Sequence, residues 1–136
     1  MNIQEIYELG LAQGWDPDDA RMLAAIAWAE SKGDTNSVHY ETTDGSTSYG
    51  IWQINSVNIQ NHIDAGIITS VADLADPTVN AKAAYYVGHR TDYSEPWDDW
   101  DWTRWSTNQL PPDDDNSPLQ FIDQIPVVDV NDPETY

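Results

Sequence analysis

The chain has 136 residues, enough to bury one core and too few for two. Its 24 acidic and five basic residues leave a formal charge of −19, and such a surface repels nucleic acids and anionic membranes. With no cysteine it forms neither disulfides nor thiolate metal sites, and it lacks the run of about 18 apolar residues that crosses a bilayer as a helix.

Met1-Asn2-Ile3-Gln4-Glu5-Ile6 has neither the basic start nor the apolar run of a signal peptide, so export by that route is not expected. Ile3, Ile6, Tyr7 and Leu9 recur at helical spacing and predict a helix over residues 3 to 13, weakened by Gly10 and ended by Gly14. Asp16 caps a second helix, Pro17 suits its first position, and Asp18 and Asp19 favour its positive end. Ala20, Leu23, Ala24 and Ala27 form an apolar stripe that Met22, Ile26 and Trp28 widen, and Gly33 stops the helix. Val38, Tyr40 and Thr42 then alternate toward an Asp44-Gly45 turn, the pattern of a small β-hairpin over 38 to 49. From Tyr49 to Ile63 the pattern reads as helical, with Ile51, Ile54 and Ile59 on one side. Ile67 to Ala75 reads as a loop with a short helical turn, and Asp76-Pro77 starts a helix running to about Arg90. Trp97, Trp100, Trp102 and Trp105 crowd residues 91 to 105, which read as short helices or turns on the core. After about residue 107 the chain turns to proline and acid, including Asp113-Asp114-Asp115, and reads as an extended, partly disordered tail. Phe121, Ile122, Ile125, Val127, Val128 and Val130 could anchor part of it.

Glu30 falls in the last turn of the second helix, three residues after Ala27 and four after Ile26, so it points from the apolar stripe and not from the solvated face. Burial against apolar groups raises a carboxyl pKa, because the charged form loses water. A carboxyl still protonated near neutral pH can donate to the leaving oxygen of a glycosidic bond. A Glu that only hydrogen-bonds the neighbouring hairpin would occupy the same place.

The surrounding residues shift that balance. Thr43-Asp44-Gly45-Ser46-Thr47-Ser48-Tyr49-Gly50-Ile51-Trp52-Gln53-Ile54-Asn55-Ser56 is similar to the active-site hairpin of animal c-type lysozymes. Ala29-Glu30-Ser31 resembles the Glu-Ser that ends a helix in lysozymes and soluble lytic transglycosylases, and Gly50-Ile51-Trp52-Gln53-Ile54 resembles the Gly-Leu-Met-Gln-type motif of the latter. Asp76-Pro77, Asn80-Ala81, Ala83-Ala84-Tyr85, Pro96-Trp97 and Trp100 look like the second half of lysozyme-like domains carried by bacteriophages. The resemblance covers roughly residues 18 to 105 and implies a mainly α, α+β lysozyme-like fold over 1–106, with a small β-hairpin beside the cleft and an acidic, proline-rich tail over 107–136. It implies cleavage of the β-1,4 bond between N-acetylmuramic acid and N-acetylglucosamine in peptidoglycan, with Glu30 as general acid and no cofactor. The implied setting is a phage, as a lysis enzyme or among other virion proteins. The charge of −19 counts against a freely diffusing lysis enzyme and fits a particle or a salty medium better.

One position departs from the pattern. Where c-type lysozymes carry a second acid before the Tyr-Gly, this chain has Ser48. Glu30 then acts alone, as in lytic transglycosylases that close a 1,6-anhydro ring, or Asp44 or Glu41 holds a water on the far face, or the site only binds glycan. Asp44 is also a good turn residue before Gly45, Glu41 reads as a solvated strand residue, and Ser48 could bond Glu30 or substrate. The resemblance puts Tyr49, Trp52, Gln53, Asn55 and Tyr85 along the cleft, with Trp52 equally suited to the core and Tyr85 or Tyr86 facing Glu30. His39, His62 and His89 have no metal-ligand spacing and read as surface or core histidines. A glycan-binding module and a structural virion subunit are the rival classes.

Overall fold

The computed structural model describes residues 1–89, 114, 115 and 117–125. The expectations for Trp97, Trp100, Trp102, Trp105, Val127, Val128 and Val130 fall outside the described residues.

Helix α1 (Ile3–Ala12) begins at a reciprocal cap. Asn2 Oδ1 accepts from the Glu5 N–H at 2.8 Å and Glu5 Oε1 accepts from the Asn2 N–H at 2.9 Å. Gly10 is less a weakness than a seat. A Cβ there would stand 2.5 Å from Trp15 Cε3, so its absence lets the Trp15 ring close against α1 and α2. Helix α2 (Pro17–Ser31) starts where Asp16 accepts from the Asp18 N–H at 2.9 Å, and ends where Lys32 (φ 53°) and Gly33 (φ 78°) turn left-handed.

β1 (Val38–Tyr40) pairs antiparallel with β2 (Thr47–Tyr49), and β2 with β3 (Ile54–Asn55). The hairpin forms as the alternation predicts, but the helical reading of Tyr49 to Ile63 is corrected. Residues 50–53 turn, Ile54–Asn55 adds a third strand, Ser56–Asn58 is a 3₁₀ turn, and only Ile59–Asp64 is a helix, α3. Gly50 (φ 77°) and Gln53 (φ 49°) both adopt left-handed backbone, which an α-helix cannot contain. After a 3₁₀ turn at Val71–Ala75, Asp76 caps α4 (Pro77–His89) by accepting from the Thr78 N–H at 2.9 Å.

The fold is mainly helical around a three-stranded sheet, a lysozyme-like α+β arrangement. Its core gathers Ile6, Tyr7, Leu23, Ile26, Ile51, Trp52, Ile54 and Leu74. Trp15 meets Trp52 edge-on at 5.6 Å between centroids and stacks on Tyr85 at 5.9 Å. Residues 117–125 form two 3₁₀ turns against α2. Ile125 enters the core, its carbonyl accepts from Arg21 Nε at 3.3 Å, and the Lys32 ammonium sits 4.1 Å above the Phe121 ring.

Candidate functional site

The last turn of α2 carries Glu30, half-buried, one helical turn after the buried Ile26 and Ala27 that complete the helix's apolar face. Its neighbour Ser31 fixes that turn to the rest of the molecule. Ser31 Oγ donates to the Ile51 carbonyl at 2.9 Å, has the Ala27 carbonyl at 3.1 Å, and accepts from the Gly33 N–H at 3.2 Å. The end of α2 is thereby bolted to the turn that joins β2 to β3.

That turn is held from the other side by Asn80 on α4. Asn80 is fully buried; its Oδ1 accepts from the Trp52 N–H at 2.9 Å, and its Nδ2 donates to the Tyr49 and Leu74 carbonyls at 3.0 Å each. Gly50 makes the approach feasible, since a Cβ there would stand 2.1 Å from Asn80 Nδ2 and 2.6 Å from the Leu74 oxygen. In the sequence Asn80 stands out only inside the Asn80-Ala81 resemblance. The usable signal was an amide on the same helix as Ala81, Ala83 and Ala84, because a buried amide demands partners.

Strand parity sorts the sheet into two faces. Val38, Tyr40, Thr47, Tyr49 and Ile54 share one, and at Tyr49 and Ile54 this face meets the core. His39, Ser48 and Asn55 share the other, in a single row across the strands. Asn55 Nδ2 donates to Ser48 Oγ at 3.2 Å and to Ser46 Oγ at 3.0 Å, while Asn55 Oδ1 accepts from the Val57 N–H at 3.0 Å. The face turned away from the core is thus a hydrogen-bonded polar surface.

Asp44 serves the turn. Its Oδ1 accepts from Ser46 Oγ at 2.7 Å and from the Ser46 N–H at 2.9 Å, and these bonds hold its carboxyl below the usual range. Glu41 accepts from the Thr43 N–H at 3.2 Å, which likewise lowers its carboxyl. Ser48 bonds Asn55. Gln53 donates through Nε2 to the Gly50 carbonyl at 2.9 Å and the Ser37 carbonyl at 3.3 Å, tying the turn to the chain entering β1.

Of the two roles open to Trp52, the structure places its ring in the core: it is fully buried, with Nε1 donating to the Leu23 carbonyl at 2.9 Å. Tyr49 is half-buried and packs on the core. Tyr85 stacks on Trp15, and Tyr86 meets the buried His62 edge-on at 5.3 Å. The structure therefore ties the end of α2 to the turn 50–53, which joins the strands that carry Ser48 and Asn55, and seats the Trp52 ring in the core. Among the described residues no group of three or more His, Asp or Glu could hold a metal ion.

A family model described as a lysozyme-like domain matches residues 7–107. The chain belongs to the lysozyme-like domain family. No curated protein and no solved structure matches it. Membership supports glycoside-hydrolase or lytic-transglycosylase-like activity in general. The match runs from Tyr7, inside α1, through α4, takes in all three strands, and ends before the segment 117–125 that packs on α2.

Proposed function

We propose that this lysozyme-like domain cleaves the β-1,4 bond between N-acetylmuramic acid and N-acetylglucosamine in peptidoglycan strands, with Glu30 as the acid. The observation that carries this reading is the Ser31–Ile51 bond, which fastens the half-buried Glu30 turn to the turn beside the polar sheet face. In the reaction Glu30 gives its proton to the leaving O4 as the C1–O4 bond breaks. The muramic-acid C6 hydroxyl then closes on C1 and returns its proton to the Glu30 carboxylate, which leaves a 1,6-anhydro end. Two features favour ring closure over double displacement. Position 48 offers a hydroxyl bonded to Asn55 and no carboxylate nucleophile, and Asp44 is engaged by Ser46. The phage setting, as lysis enzyme or virion component, is a further part of the proposal and rests on the sequence resemblance alone.

The test is incubation of the chain and its Glu30→Gln variant with purified peptidoglycan, with soluble products read by mass spectrometry. We expect anhydro-ended fragments from the parent and a loss of at least about a hundredfold in the variant. Equal release by both would overturn the role of Glu30. Reducing ends would overturn ring closure, and no release from either would leave a glycan-binding or structural protein.

A further inference from the structure

His39 has no part in the scheme above, yet strand register brings it to the same row as Ser48 and Asn55. It stands directly across the ladder from Ser48, as Asn55 does on the other side. Directly opposed residues of antiparallel strands carry their Cβ atoms about 5 Å apart on one face, so the imidazole extends the polar row by one strand toward the sheet edge. The opposite face is committed to the core at Ile54 and Tyr49, although Val38 and Tyr40 at its β1 edge stay exposed, while the row of His39, Ser48 and Asn55 lies on the face turned from that core. The ring is accessible: the His39 side chain is 69% exposed, and its ion-pair contact with Glu41 is long at 3.9 Å. The other two members of the row, both half-buried, are bonded to each other. His39 alone projects a ring with one donor and one acceptor nitrogen in its neutral form.

We propose, on the reading that this face meets a glycan, that His39 is a further substrate-contacting residue of the site, binding hydroxyl or N-acetyl groups of the strand beside Ser48. A neutral imidazole suits that ligand class, because sugar hydroxyls both donate and accept while an N-acetyl group offers a carbonyl and an amide N–H. The ring also presents a flat face to the apolar side of a pyranose.

The test uses the full chain carrying Glu30→Gln, to prevent turnover, titrated with tri-N-acetylchitotriose. Imidazole signals are followed by NMR, and that of His39 is identified by its loss in a His39→Gln variant. The expected result is a shift of the His39 signal that saturates with sugar, and binding weakened about five- to tenfold in His39→Gln. Because the side chain is exposed, the variant keeps the fold, which its unchanged amide spectrum verifies. A sugar that binds while the His39 signal stays still overturns the proposal, and so does a sugar that does not bind at all. The cleavage reading stands or falls separately, on release of peptidoglycan fragments by the chain with the native Glu30. Release without a His39 response sinks only His39, and a His39 response without release sinks only cleavage.

Discussion

Asn80 offers one acceptor and two donors, and all three are used inside the core, on the Trp52 amide and the Tyr49 and Leu74 carbonyls. Truncation leaves three buried backbone groups unpaired, so Asn80→Ala is expected to cost about 3 kcal/mol or more, read by urea unfolding. Gly50→Ala meets the same amide from the other side. It adds a Cβ to a left-handed residue pressed on Asn80, and should cost roughly 3 kcal/mol by the same measurement. Asp44 makes a pH-dependent contribution whose sign follows from its bonds. Its carboxyl is lowered in the folded chain by Ser46, so the stability it adds is fully present above the unfolded value of about 3.9. That stability is lost as pH falls through the lower folded value. The thermal midpoint of Asp44→Ala should therefore lie below that of the parent at neutral pH, with the gap narrowing in acid. A gap unchanged across that range would mean that the charge on Asp44 is not what holds the turn. At this scale the sequence was legible where a residue works locally. Asp44 before Gly45, and Asp16 and Asp76 before their prolines, form the turn and the caps their types predict. Asn80 was not legible, because its partners lie 6 to 31 residues away.

At the scale of elements, α2 is gripped from several sides. α1 packs on it, the 50–53 turn is tied to its end through Ser31, and residues 117–125 run along it from Lys32 to Arg21. The last contact is apolar as well as polar, since Ile125 is fully enclosed. Ile125→Ala is expected to lose about 2 to 4 kcal/mol, and a chain ending at residue 107 should unfold at a lower temperature than the full chain. An equal midpoint for the two would show that this segment adds nothing to the core. Helices and hairpin were readable from period and caps, while β3 was not. Two residues are too few to display alternation, and what turns the chain there is the left-handed pair Gly50 and Gln53, of which only the glycine signals itself in sequence.

For the whole molecule the governing quantity is charge. With 24 acids and five bases the folded chain repels itself. Raising salt from about 10 mM to about 1 M shortens the screening length roughly tenfold, and the thermal midpoint is expected to climb with it. A midpoint indifferent to salt would mean that the acids are spaced too widely to matter. Fold class and family were legible at this scale because they rest on several motifs spread over α2, the sheet and α4. The division between cleft and core was less so: Trp52 is aromatic whether it stacks on a sugar or on Trp15, and only the folded packing places it in the core. The two-sidedness of the sheet also makes it a natural substrate for directed evolution. Positions 39 and 48 project away from the hydrophobic interior, whereas 49 and 54 are spoken for by it. A combinatorial library that randomises 39 and 48 together, and leaves their neighbours untouched, would diversify the proposed glycan-contacting row with little loss of folded clones.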